Sequence, residues 1–297
     1  MSRTSAPRSQ KFRLGTCTLR VGNPYVMGIV NNTPDSFSGD GLGGDVAKAV
    51  ERGRLMFSQG ADIVDVGGES TRPGATSIPS ELETARTIPV VEELSALRPG
   101  RVSIDTMKPE VAEAALFAGA SVVNDVSGLR DPKMIEVVAE HEASVIIMHM
   151  RGDPRTMQVN PRYRDVVKDV KAYLGERVEA AEEAGINPSR IMVDPGIGFG
   201  KTVEHNLEII SRLEELKTLR KPIVIGVSRK AFIGRVSGTD APADERLPGS
   251  IVAAVLAVLH GASIVRVHDV AETVQALKVS QAILNSRRSP GGPEPRR

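Results

Sequence analysis

The sequence predicts a single (β/α)8 TIM barrel preceded by a short N-terminal hairpin, and three observations carry that expectation. Eight short apolar runs alternate with longer stretches whose apolar residues recur at helical spacing. No strong break in composition divides the 297 residues. The turn after the first run reads Asn31-Asn32-Thr33-Pro34, whereas an open doubly wound sheet usually carries Gly-x-Gly-x-x-Gly there. Alternating strands and helices pair in parallel through right-handed crossovers, and eight such units close into a barrel.

Residues 1–11 are basic and polar and lead into no apolar segment of the kind a secretory signal needs, so they are expected to be a disordered tail. Residues 12–21 alternate weakly and end at Gly22-Asn23-Pro24, which suits a hairpin. The apolar runs follow at 26–30, 61–66, 102–104, 122–123, 145–148, 191–193, 223–227 and 264–267. Helical spacing marks 45–58, 81–97, 110–117, 132–139, 163–184, 203–216 and 250–259. One (β/α)8 domain therefore spans 12–285, and residues 286–297, rich in Pro and Gly, read as a second disordered tail.

The balance of 38 basic against 37 acidic side chains leaves a formal charge of +1, so no broad field for nucleic acid is expected. A single Cys17 excludes an internal disulfide framework. No run approaches the roughly 18 apolar residues of a membrane span. A cytoplasmic protein with small-molecule partners, engaging neither nucleic acid nor membrane, is the expectation.

In a barrel of this kind chemistry gathers at the carboxyl ends of the strands. Those ends are unusually polar here. They deliver Asn31 from the first strand, Gly68-Glu69-Ser70-Thr71-Arg72-Pro73-Gly74 from the second, Asp105 from the third and Asn124-Asp125 from the fourth. Met148-His149, Asp194-Pro195-Gly196, Ser228-Arg229-Lys230 and Arg266-Val267-His268-Asp269 follow from the rest. Arg72, Lys230, Arg266 and His268 are donors suited to phosphate oxygens. Asp105, Asn124 and Asp194 supply the acceptors and amides that complement a flat heterocycle edged with ring N–H, amino and carbonyl groups. Phe199 and Met148 suit its apolar flank. The Asn31 carbonyl suits a hard cation such as Mg2+ beside phosphate oxygens.

Plainer readings compete. An Asp after a strand often caps the next helix, which applies to Asp105 before Thr106 and is preferred for Asp125 and Asp269. His149 also reads as a satisfied core histidine, and Lys201 as a solvated turn charge.

Taken together and in order, Val30-Asn31-Asn32-Thr33-Pro34-Asp35-Ser36-Phe37, Gly68 to Gly74, Ile104-Asp105-Thr106, Val123-Asn124-Asp125, Asp194-Pro195-Gly196, Phe199-Gly200-Lys201, Ser228-Arg229-Lys230 and Arg266-Val267-His268-Asp269 resemble the dihydropteroate synthases. The resemblance covers roughly residues 24–284. It implies a transferase that joins 6-hydroxymethyl-7,8-dihydropterin diphosphate to 4-aminobenzoate, giving 7,8-dihydropteroate and diphosphate for folate biosynthesis. It implies pterin binding by Asp105, Asn124, Met148, Asp194, Phe199, Gly226 and Lys230. It assigns the diphosphate to Asn31, Thr71, Arg266 and His268, with Mg2+ at Asn31. The aminobenzoate falls to Phe37, Thr71, Arg72, Pro73 and Lys230. Asp105, Asp194, Lys230, Arg266 and His268 carry the catalytic roles. A homodimer through late outer helices is implied as well.

This chain departs from the family pattern at Asn32, where an aliphatic residue is usual, at Ser38-Gly39-Asp40-Gly41, where the acidic residue is displaced by one, and at Ala231, where many members have Ser. Those departures place first-loop closure in question. A pterin-binding methyltransferase domain and a non-catalytic pterin-binding homologue are the alternatives. The methyltransferase domain has no need for Arg72, Lys230, Arg266 and His268 as an anion set, and the altered first loop is what raises the non-catalytic homologue.

Overall fold

The computed structural model describes residues 11–20, 23–33, 43–238 and 241–286. The tails and Phe37, together with Gly39 and Asp40, lie outside them, apart from Lys11 and from Ser286 at the end of the last helix.

The chain opens with β1 (Phe12–Leu14) and β2 (Cys17–Leu19), an antiparallel hairpin. Strands and helices then alternate: β3 (Tyr25–Asn31), α1 (Val46–Ser58), β4 (Ile63–Gly67), α2 (Ser80–Leu97), β5 (Val102–Asp105), α3 (Pro109–Phe117), β6 (Val122–Asp125) and α4 (Pro132–Glu140). The second half continues with β7 (Ser144–Met148), α5 (Val166–Glu183), β8 (Ile191–Asp194), α6 (Val203–Ser211), β9 (Val224–Ile225), α7 (Ala231–Val236), α8 (Leu247–Leu259), β10 (Ile264–Val267) and α9 (Val270–Ser286). The eight strands pair in parallel in the order β8-β7-β6-β5-β4-β3-β10-β9. A bridge from Val193 to Ile223 brings the two edges together, so the sheet forms the expected barrel.

The hairpin seals the amino-terminal end. Phe12, Leu14 and Leu19 pack on Met27, Ile63, Val122, Ile146, Met192, Val224 and Ile264, from seven of the eight strands. Its turn is fixed by Gly15, whose φ of +59° suits glycine and whose amide donates to Ser144 Oγ at 3.0 Å. With that end closed by apolar packing, the opposite end is where polar residues emerge. A second, larger cluster fills the layer between strands and helices, as a sheet covered on both faces requires.

Five elements differ most from the sequence expectation. The helix expected over 203–216 breaks at Arg212, whose guanidinium binds Asp165, Glu208 and Glu215 while its backbone leaves helical geometry; a 3-10 turn, Leu213–Leu219, follows. The helix expected from 163 begins at Val166, because Asp165 accepts from the amides of Val167 and Lys168 and so caps it. Strand β9 is shorter than the apolar run 223–227. Helices α7 and α9 had no counterpart in the spacing analysis. No helix among the described residues is long and apolar enough to cross a membrane.

Candidate active site

Register builds the mouth. Asn31 pairs with Gly67, Gly67 with Asp105, and Asp105 with Asn124, so consecutive strands end in one layer. Across the mouth, Met148 pairs with Asp194. Over this layer lies a cavity of about 500 Å³, lined by Asn31, the loop residues Glu69 to Pro73, Asp105, Phe199, Gly226, Lys230, Arg266 and His268 among others. Of the residues expected at the site, Asn124, Met148 and Asp194 are buried just beneath that surface.

The floor is organised by Arg266. Its Nε donates to Asp65 Oδ2 and its Nη2 to Asp105 Oδ2, both at 2.6 Å. Asn124 Nδ2 donates to the same Asp65 oxygen at 3.0 Å. Asp65 Oδ1 and Asp105 Oδ1 remain buried without a partner. Unsatisfied buried acceptors are costly, and the Asp105 oxygen, whose residue lines the cavity, marks where a ligand's N–H group is wanted. Burial holds the Asp105 carboxyl up at about 7 despite Arg266, with Asp65 adding to the rise. Burial likewise raises Asp194, against the Gly196 amide that donates to its Oδ1 at 2.7 Å. Gly196 is required there: its φ is +70°, and a Cβ would lie 1.9 Å from the His149 carbonyl oxygen.

One wall is apolar. Met148 packs with Val126, Met150 and Met157, and Met107 and Phe199 border this cluster. Lys230 Nζ stands 4.4 Å from the Phe199 ring centre, a cation–π contact. Burial, reinforced by Arg266, lowers the Lys230 ammonium to about 8. Gly226 leaves the slot open: a Cβ built there meets nothing within 4 Å. His268 Nδ1 lies 3.0 Å from Ser228 Oγ, and Arg229 is paired with Asp269 through Nε at 3.0 Å and Nη2 at 2.5 Å.

The structure corrects two of the plainer readings. Asp105 caps no helix: Lys108 occupies the cap of α3, and Asp105 instead holds Arg266. Lys201 is not a solvated turn charge. It is 3% exposed, donates to the Phe199 carbonyl at 3.0 Å and lies 2.9 Å from His149 Nδ1. Burial brings Lys201 down to about 7, and burial with the Lys201 charge holds His149 at about 2, so His149 is a neutral core group. Asp125 and Asp269 are structural as expected, Asp125 accepting from the amides of Ser127 and Leu129 at 2.7 Å. Asn32 faces away from the cavity, fully buried, with Nδ2 donating to the Arg86 carbonyl at 2.8 Å.

Spacing alone passed over Asp65. Its signal was present: an ionisable residue inside the apolar run Ile63-Val64-Asp65-Val66 needs a buried partner.

A parallel barrel with buried acceptors on its floor, an aromatic and methionine wall and cationic donors at the rim suits a flat, hydrogen-bonding heterocycle that carries an anionic group. The chain matches the family described as pterin binding enzyme over residues 27–268, and it belongs to that family. Dihydropteroate synthase of Escherichia coli strain K12 is 44% identical over 276 residues, covering 93% of this chain and 97% of the relative. Among solved structures, the Xanthomonas albilineans dihydropteroate synthase with 4-aminobenzoic acid superposes with a TM-score of 0.85 at 45% identity, covering 93% of this chain and 99% of the other. The Burkholderia cenocepacia enzyme complexed with 7,8-dihydropteroate gives a TM-score of 0.85 at 44% identity over 94% of this chain and 98% of the other. Within the pterin binding enzymes, the chain is a member of the dihydropteroate synthase family.

Proposed function

We propose that this protein joins 6-hydroxymethyl-7,8-dihydropterin diphosphate to 4-aminobenzoate, releasing diphosphate and forming 7,8-dihydropteroate, the folate-biosynthetic reaction of its relatives. The observation that carries the reading is the unpartnered buried oxygen of Asp105 on the wall of a cavity whose rim supplies Arg72, Lys230 and His268. Asp105 and Asp194 accept from the pterin ring, Asn124 orders Asp65 beneath it, and Phe199 and Met148 flank it. Lys230 stands between the pterin slot and the aminobenzoate side, where Thr71, Arg72 and Pro73 line the cavity. Phe37 belongs to the same aminobenzoate assignment.

The chemistry is charge separation. The exocyclic C–O bond breaks with its electron pair leaving on diphosphate, and the positive charge spreads into the dihydropterin ring. The carboxylates of Asp105 and Asp194 stabilise that charge; Thr71, Arg266 and His268 receive the leaving group. The arylamine nitrogen then forms the new C–N bond and gives up a proton to solvent or to the departing diphosphate. No strong base is required.

Mg2+ is part of this proposal. The Asn31 side chain makes no hydrogen bond to a described residue, and no group of three or more His, Cys, Asp or Glu among those residues could hold an ion. One neutral oxygen suits an ion that arrives with phosphate oxygens and waters, the usual habit of Mg2+. When bound, it would neutralise diphosphate charge.

A homodimer is proposed from exposed apolar side chains on late helices: Val252, Leu256 and Leu259 at helical spacing on α8, and Val279 and Ile283 on α9. A cytoplasmic location rests on the single Cys17. The deciding experiment is the purified protein with Mg2+ and both substrates. Dihydropteroate is the expected product, and none at saturating substrate overturns the reading.

A further inference from the structure

The loop carrying Thr71 and Arg72 is held from below by charges that have no part in the roles above. Lys108, at the start of α3, donates its ammonium to Glu69 and, at 2.5 Å, to Glu83. Glu69 belongs to the loop; Glu83 projects from the first turn of α2. The Glu83 side chain is 1% exposed and its Oε1 has no partner. Burial pushes its carboxyl up while Lys108 pulls it down. Lys108 does not line the cavity, whereas Glu69 does.

The same half of α2 gathers the neighbouring loops. Arg86 Nη1 donates to the Gly68 carbonyl at 3.0 Å, and the Arg86 carbonyl accepts from Asn32. Gly68 lies so close to α2 that a Cβ would come within 2.7 Å of Thr87 and 3.1 Å of Glu83. At the far end of the loop the Gly74 amide donates to the Pro154 carbonyl at 3.0 Å. Residues 69–74 are thus pinned at both ends, with the cavity-lining Ser70 to Pro73 between the pins.

We propose that Lys108 is a positioning residue for the aminobenzoate side of the site, fixing the root of residues 69–74 through Glu69 and so the placement of Thr71 and Arg72. Two carboxylates share one ammonium, and without it they repel. Glu83 is fixed in a helix at full burial, so the loop-borne Glu69 is the group that yields. The inference rests on Thr71 and Arg72 serving aminobenzoate.

Lys108→Met tests it with two readouts, amide hydrogen exchange at Gly74 and steady-state kinetics. Loss of a charged hydrogen bond at the root is expected to speed Gly74 exchange roughly tenfold and to raise KM for aminobenzoate roughly tenfold. KM for the pterin diphosphate rises less, since of its proposed partners only Thr71 lies on this loop. Lys108→Arg restores both values. Unchanged exchange at Gly74, or equal rises in the two KM values, overturns the proposal. If Lys108→Met does not fold, Glu69→Gln carries the same expectation and the same overturning result. A wild-type protein that makes no dihydropteroate removes the functional reading, while the exchange comparison still decides whether Lys108 holds the loop.

Discussion

The floor and the rim of the barrel mouth are built on opposite principles. The floor is Asp65, Asp105, Asn124, Asp194 and Arg266, with all but Arg266 buried; Arg266 binds Asp65 and Asp105, and Asn124 binds Asp65, at 2.6 to 3.0 Å. The rim is the loop of residues 69–74, half exposed along Glu69 to Arg72 and anchored chiefly at its ends. A buried, hydrogen-bonded set is already organised for a ligand, and it leaves the Asp105 Oδ1 free to accept. A loop held at its ends can adjust to a second substrate and exclude water after both have bound. In the proposed function the first region selects the ring that binds and the second the group that reacts with it.

That contrast can be broken from the floor first. Arg266→Met removes the guanidinium shared by Asp65 and Asp105 and is expected to cost about 3–5 kcal/mol of stability by leaving buried carboxylates uncompensated. Chemical denaturation measures it, and a loss below about 1 kcal/mol, the range of an exposed pair, would show the floor to be far less tightly coupled than its geometry indicates. Next, Asp194→Asn is expected to weaken pterin diphosphate binding roughly ten- to a hundredfold while inorganic diphosphate changes little. Calorimetry with each ligand separately distinguishes the two, and equal losses contradict the assignment.

Lys230 links the regions and gives a pH signature. Its pKa is lowered from 10.5 to about 8, so the folded protein keeps the ammonium below pH 8 and loses it above. Affinity for pterin diphosphate should therefore fall above pH 8, approaching tenfold per pH unit if the charge is essential, and Lys230→Arg should remove that limb. Stability runs the other way. Between pH 8 and 10.5 the unfolded chain holds the proton that the folded one has released, so this group makes the protein more stable as pH rises through that window. The smallest effect on stability belongs to the rim. Arg72→Ala should leave denaturation within about 0.5 kcal/mol of the parent and raise KM for aminobenzoate about tenfold. A loss of stability like that of the floor would erase the distinction between the regions.

Much of the floor is legible in the sequence because strands pass abruptly from apolar to polar residues, as at Val30-Asn31 and Val193-Asp194. Such a change marks the point where a covered strand reaches a cavity. Asp65 was harder to read, since it lies within a strand rather than at its end and its partner Arg266 is 201 positions away. Lys201 misled for a related reason: a Lys after a glycine-rich turn looks solvated until the fold lays it against His149. Asn32 invited a role in loop closure, yet its amide is committed to Arg86.

By itself the sequence determined the alternation of strands and helices, the hairpin ahead of them, and the set of polar residues at the strand ends. Those follow from local rules: periodicity, turn chemistry and the exclusion of charge from apolar runs. Tertiary structure decided which polar groups are partners and which remain unsatisfied. Arg266 became the clamp of the floor because barrel closure sets β10 beside β3, within reach of carboxylates on β4 and β5. Lys108 became the support of the loop that follows the neighbouring strand for a related reason, since the pairing of β4 with β5 brings together residues 39 positions apart.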